Sequence, residues 1–144
     1  WYGNLYNESK AFIYEDHVLF NKNKTTLIAY IAREKNYTIP NSVTTIGKLA
    51  FNGCYSLTNI NIPNSVTTIE NRVFIDCKSL TSINIPNSVT TIGESAFACC
   101  RSLIRINIPN SVTTIGNCAF RFCRRLPSHI KSDIIQRFGE KVFE

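Results

Sequence analysis

The string Ile-Pro-Asn-Ser-Val-Thr-Thr-Ile occurs four times in this chain, starting at Ile39, Ile62, Ile85 and Ile108, a strict 23-residue period. Apolar residues recur in the same columns: Val43, Val66, Val89 and Val112; Phe51, Phe74, Phe97 and Phe120; Cys54, Cys77, Cys100 and Cys123; Leu57, Leu80, Leu103 and Leu126. A unit this short cannot bury its apolar side chains against itself. The units must stack, and each column then becomes a continuous apolar ladder.

Two periodicities alternate inside the unit. Ile83 and Ile85 alternate with Ser82 and Asn84, the period of a short strand with one buried face, and Pro86-Asn87-Ser88 turns the chain out of it. Ile92, Ala96, Phe97 and Cys100 follow at a spacing that predicts about two turns of helix, with Thr90 or Thr91 as its cap. One strand and one short helix per unit predict an α/β solenoid, with parallel strands on the inner face and helices outside.

The pattern Leu-x-x-Ile-x-Ile-Pro-x-Ser-Val-x-x-Ile-Gly-x-x-Ala-Phe-x-x-Cys resembles the BspA-like class of leucine-rich repeats, over residues 37–126. Serine at Ser42, Ser65, Ser88 and Ser111 replaces the asparagine of the ordinary leucine-rich-repeat turn, as is usual in this class. The resemblance implies a curved solenoid with a concave strand face and a convex helical face. It also implies a bacterial surface or secreted setting and a habit of binding proteins, including host and matrix proteins.

The ends depart from the register. Residues 12–31 read as short strands joined by polar turns at Glu15-Asp16 and Asn21–Lys24, so residues 1–36 are expected to form a β-hairpin capping region. Beyond the four repeats at 37–126, Ile130, Ile134 and Phe138 recur at helical spacing before Gly139, which predicts a helical C-terminal cap over 127–144. The chain starts at Trp1 and contains no methionine, so further sequence is expected upstream of it.

Catalysis finds no constellation. The two histidines, His17 and His129, lie far apart, and Glu70, Asp76 and Glu94 belong to different repeats, so no acid and base pair is specified. There is no phosphate-cradling glycine loop, no zinc spacing and no apolar run long enough for a membrane span, so a noncatalytic module without a cofactor is expected. The columnar cysteines read as buried core thiols, with pairing of Cys99 and Cys118 left open.

Charge and face patterning supply the binding candidates. The net charge of +6 is local: between Ser95 and Ser132 there is no acidic residue, and Arg101, Arg105, Arg121, Arg124, Arg125 and Lys131 sit there. Arg101, Arg121, Arg124 and Arg125 are expected to form a basic patch, either a solvated rim or a dock for an acidic partner. Nucleic acid draws no support, because no aromatic interleaving or known binding motif accompanies the charge. Strand alternation sends Asn59, Asn61, Ser82, Asn84, Arg105 and Asn107 outward on the concave face, where they would hydrogen-bond a protein or glycan or form an amide ladder that stabilises the strands. Asn59, Ser82 and Arg105 are the varying members of that row. Sequons at Asn7, Asn23 and Asn36 are no more than an asparagine-rich chain produces by chance.

Overall fold

The computed structural model describes residues 11–144; the sequon at Asn7 and the start of the predicted hairpin region lie outside them. The described residues open with β1 (Phe12–Glu15), β2 (Val18–Asn21) and β3 (Thr26–Tyr30), paired antiparallel in sequence. Asp16 and His17 form the loop between β1 and β2, both at positive φ (47° and 62°), as a two-residue hairpin loop of matching twist demands.

Beyond β3 the solenoid carries two ladders. Three-residue strands β4 (Asn36–Thr38), β6 (Asn59–Asn61), β8 (Ser82–Asn84) and β10 (Arg105–Asn107) form one parallel sheet in the order β10-β8-β6-β4. Register is exact by column: Asn36, Asn59, Ser82 and Arg105 align, as do Thr38, Asn61, Asn84 and Asn107. Two-residue strands β5 (Thr45–Ile46), β7 (Thr68–Ile69), β9 (Thr91–Ile92) and β11 (Thr114–Ile115) form a second parallel ladder. This ladder joins β3, so the hairpin is continuous with a seven-stranded sheet. Thr91, expected to cap a helix, belongs to β9; threonine and isoleucine, branched at Cβ, suit a strand better than a helical turn.

The predicted convex helices are not formed, and this corrects the convex half of the expected α/β solenoid. Residues 94–99 and their equivalents are successive turns. Two columns in each unit adopt left-handed φ four residues apart: Leu49 and Gly53, Arg72 and Asp76, Ser95 and Cys99, Cys118 and Phe122. A right-handed helix cannot pass through such residues. The backbone donors of these turns go to the next unit instead: the phenylalanine midway between the two left-handed residues gives Phe51 N–H to Val73 O (2.9 Å), Phe74 to Ala96 (2.8 Å), Phe97 to Ala119 (2.8 Å) and Phe120 to Val142 (2.8 Å). Every buried donor must find an acceptor, and stacking supplies it between units where a helix would supply it within one.

The core lies between these layers. Phenylalanines 51, 74, 97 and 120 are fully buried and stack with centroids 5.1, 5.2 and 5.4 Å apart, their planes closing from 23° to 0°. Tyr30 continues the stack at one end (4.9 Å from Phe51) and Phe143 at the other (5.8 Å from Phe120). Gly139 to Phe143 occupy the positions that follow Gly116 to Phe120 by one period, and Cys118 N–H donates to Lys141 O (2.8 Å), so the repeat register resumes at the chain's end. Between these stretches runs α1 (Ser128–Phe138), the one α-helix among the described residues, with Ile134 buried and Ile130 and Phe138 packed on the core. Arg137 anchors it by donating to the carbonyls of Ile108 (2.8 Å) and Pro109 (3.0 Å).

Candidate functional site

The four-stranded sheet presents its alternate side chains to solvent because Ile60, Ile83 and Ile106 point into the core. Asn59, Asn61, Asn84, Arg105 and Asn107 are exposed and Ser82 is half-buried, so all six residues predicted for this face are brought together there. They line a shallow trough of about 380 Å³ floored by the same three isoleucines. Asn107 Nδ2 donates to Asn84 Oδ1 at 3.3 Å, one link of an amide ladder. Along the varying column the groups change from amide to hydroxyl to guanidinium at steps of ~4.8 Å, so the trough offers acceptors and donors at one end and a fixed cation at the other.

The trough continues toward the helix. Ile106, Asn107, Ile108, His129, Ile130, Asp133 and Ile134 enclose a smaller depression of about 190 Å³ between the sheet edge and α1. His129 and Asp133 thereby join the polar rim, which sequence reading missed: it treats His129 as a cap residue, and nothing in the repeat pattern tells how α1 docks. A third cavity, about 460 Å³, lies where the hairpin meets the first repeat, lined by Tyr30, Ile31, Arg33, Asn52, Cys54 and Tyr55 among others. The exposure of Ile31 (62%) and Tyr55 (59%) marks this junction.

The predicted arginines divide between two faces. Arg105 lies on the strand face; Arg101, Arg121, Arg124 and Arg125 are exposed in the turn layer and in the turns that leave it, toward β10 for Arg101 and toward the C-terminal helix for Arg124 and Arg125. Arg101 and Arg124 share a column with Lys78. The Arg121 and Arg124 guanidiniums lie 4.8 and 5.7 Å from the centroid of the Phe122 ring. Phe122 is 45% exposed and holds φ at 61° in a column otherwise occupied by Gly53, Asp76 and Cys99. A bulky residue held left-handed carries a strain of order 1–3 kcal/mol, and Phe122 recovers little of it by burial.

The cysteine column serves the stack. Each thiol donates to a carbonyl of the preceding unit: Cys77 to Phe51 O (3.1 Å), Cys100 to Phe74 O (3.2 Å) and Cys123 to Phe97 O (3.1 Å), with Cys54 reaching Tyr30 O at 3.7 Å. Burial raises the pKa of Cys100 and pushes Cys123 up to about 12. Cys77 is raised by its contact with the Cys54 thiol and then by burial, while the same contact lowers half-buried Cys54. All six cysteines are free, and Cys99 and Cys118 occupy the two left-handed columns. The turn serines stack similarly: Ser65 Oγ donates to Val43 O (2.7 Å), whereas Ser88 and Ser111 bury the hydroxyl without a partner.

His17 Nδ1 meets the Tyr14 hydroxyl at 3.2 Å in the hairpin. Among the described residues no three His, Cys, Asp or Glu side chains gather to hold a metal ion, and no helix is long and apolar enough to cross a membrane.

Comparison with known proteins agrees with this geometry. Residues 29–144 match the model of the BspA type leucine-rich repeat region in six copies, two more than the four near-identical units. Tyr30 and Phe143, the outer rungs of the aromatic stack, fall inside that span. A leucine-rich repeat protein from Eubacterium ventriosum superposes with a TM-score of 0.78 at 34% identity, over 81% of this chain and 32% of that one. A leucine-rich cell surface protein from Faecalibacterium prausnitzii gives 0.72 at 30% identity, over 92% and 44%. A leucine-rich repeat protein from Bacteroides ovatus gives 0.62 at 30% identity, over 81% and 30%. The chain thus spans about a third to less than half of these proteins' lengths. No curated protein matches it.

Proposed function

Because the chain belongs to the BspA-type leucine-rich-repeat family, we propose that it is a noncatalytic binding module of a bacterial surface or secreted protein, holding a protein or glycan ligand against the four-stranded sheet. The observation that carries this reading is the trough over β6, β8 and β10. A rigid, in-register sheet holds exposed amides, a hydroxyl and Arg105 above apolar floor residues, and only the column of Asn59, Ser82 and Arg105 varies. Short polar groups on a fixed backbone lose little side-chain entropy on binding, which suits recognition. The Faecalibacterium relative, described as a cell surface protein, supports the location. Adhesion to host or matrix proteins is the specific role this reading favours. The test is a binding screen of the chain against matrix proteins and glycans: Arg105→Ser is expected to weaken a captured ligand by tenfold or more, and capture unaffected by Arg105→Ser and Asn84→Ala would refute the sheet as the site.

A second reading, a stiff spacer displaying another domain, draws on the Asn107–Asn84 bond, since an amide ladder stiffens stacked strands. It expects Asn84→Ala to lower the melting temperature without changing capture of any ligand.

A further inference from the structure

The cations of the turn layer stand apart from the trough and form a site of a different kind. Lys78, Arg101 and Arg124 occupy one column, at successive steps of ~4.8 Å along the solenoid axis. Arg121 and Arg125 flank the C-terminal end of that column, and all five are exposed. Among the described residues the ion pairs are Lys24–Glu15 and Arg137–Asp133, so none of the five is neutralised. By register the nearest carboxylates are Asp76, in the unit of Lys78, and Glu144, one rung beyond Arg121, and neither reaches a cation. Like charges stacked this closely repel one another, and an anion that spans them relieves the repulsion.

Phe122 organises the end of the row. Its ring lies beneath two guanidiniums, and its left-handed backbone is retained where the same column elsewhere holds glycine, aspartate or cysteine. The left-handed φ belongs to the turn of every unit; particular to this last one is a large, half-exposed ring in that column, seated against two guanidiniums. Contact with the ring pre-orders Arg121 and Arg124, and both side chains remain exposed to solvent.

We propose that the Lys78, Arg101 and Arg124 row, with Arg121 and Arg125 seated around Phe122, binds a sulfated polysaccharide running along the solenoid axis. Three observations select this occupant. The row lies outside the cavities at the hairpin junction, on the strand face, beside α1 and at Thr81–Arg105, and its five cations are all exposed, which suits a partner laid along a surface better than one that buries a side-chain anchor. Four of the five cations are arginine, whose fork accepts two oxygens of a tetrahedral oxyanion at once. The row matches an extended chain of high charge density, whereas an extended acidic peptide sets its same-side carboxylates about 6.6 Å apart, out of step with the rungs.

The experiment measures binding of residues 1–144 to heparin across a NaCl series. The expected log–log slope is about −3, from roughly four cations each displacing a counterion. Arg101→Ser/Arg124→Ser is expected to lose at least tenfold in affinity with unchanged circular dichroism. Phe122→Gly keeps every charge and relieves the strained φ; it is expected to raise the melting temperature and to weaken heparin binding several-fold. Lys22→Ser, which removes one exposed cation of the hairpin outside both sites, is expected to leave heparin binding unchanged. Heparin affinity unaltered in the double variant would overturn the proposal. Equal affinity for desulfated heparin would overturn it by showing that the sulfates are not recognised, and equal affinity for polyglutamate would overturn it in favour of an acidic protein. Tighter binding to phosphatidylserine vesicles would overturn it in favour of a membrane surface.

Discussion

The strand layer and the turn layer are built from the same 23-residue unit, yet they hold themselves together differently. In the strand layer each unit contributes three residues that alternate in and out, and the pairing to the next unit is the ordinary parallel ladder. In the turn layer the chain bends through left-handed residues and donates its N–H groups across to the next unit at every second position. Both layers vary at outward positions: Asn59, Ser82 and Arg105 on the strand face, and Gly53, Asp76, Cys99 and Phe122 in the turn layer. What the turn layer holds constant is its inward set, the phenylalanine and cysteine columns, because each turn completes the one below it.

The largest break in this contrast comes from the stack that both layers cover. Phe97→Ala removes a fully buried ring between two others and is expected to cost about 3–5 kcal/mol, read by urea unfolding. Because units couple only to their neighbours, that loss should separate unfolding into two transitions, and a single sharp transition with unchanged midpoint would show that the ring stack does not carry the coupling.

Gly93→Ala probes the turn layer alone. A Cβ there would sit 2.5 Å from Asn71 Oδ1 and 2.6 Å from the Asn71 nitrogen and the Glu70 carbonyl carbon, so backbone must move. The expected cost is about 1–3 kcal/mol, whereas Asn84→Ala on the strand face should stay within about 0.5 kcal/mol. Comparable melting temperatures for the two variants would erase the distinction between the layers.

Alkaline pH sharpens it further with a smaller effect. The buried thiols lie on the turn side, and their folded pKa values are raised, so the unfolded chain gives up these protons first. Their stabilising contribution is complete below pH ~9 and falls as pH rises through the folded values, about 12 for Cys123. By pH 10 the loss is expected to be ~1 kcal/mol per buried thiol. Alkylation should label half-buried Cys54 before Cys77, Cys100 and Cys123, and Cys→Ala variants in the column should flatten the pH dependence.

What the sequence disclosed follows the same division. Strand positions were legible because Ile83 and Ile85 alternating with Ser82 and Asn84 is a local signal, and the six residues of the strand face follow from it directly. The turns were not legible. Ile92, Ala96, Phe97 and Cys100 carry a helical spacing, and what overrides it is a set of hydrogen bonds to a neighbouring unit that no window of one repeat contains. The second ladder hid in the same way: Thr91–Ile92 is too short to announce a strand until Thr68–Ile69 and Thr114–Ile115 lie beside it. The cationic row was half visible, as Arg101 and Arg124 in one column; the ring that gathers two of its members needed the fold.

The exact register has one more consequence, and it concerns folding. Units that interchange freely give the chain no internal origin, since a slip of one whole period returns almost every buried side chain to an equivalent place. Tyr30 with its hairpin and α1 with Arg137 are the features that do not interchange. They set the phase of everything between them, and a chain deprived of both would be free to stack out of frame, pairing one copy's units with another's.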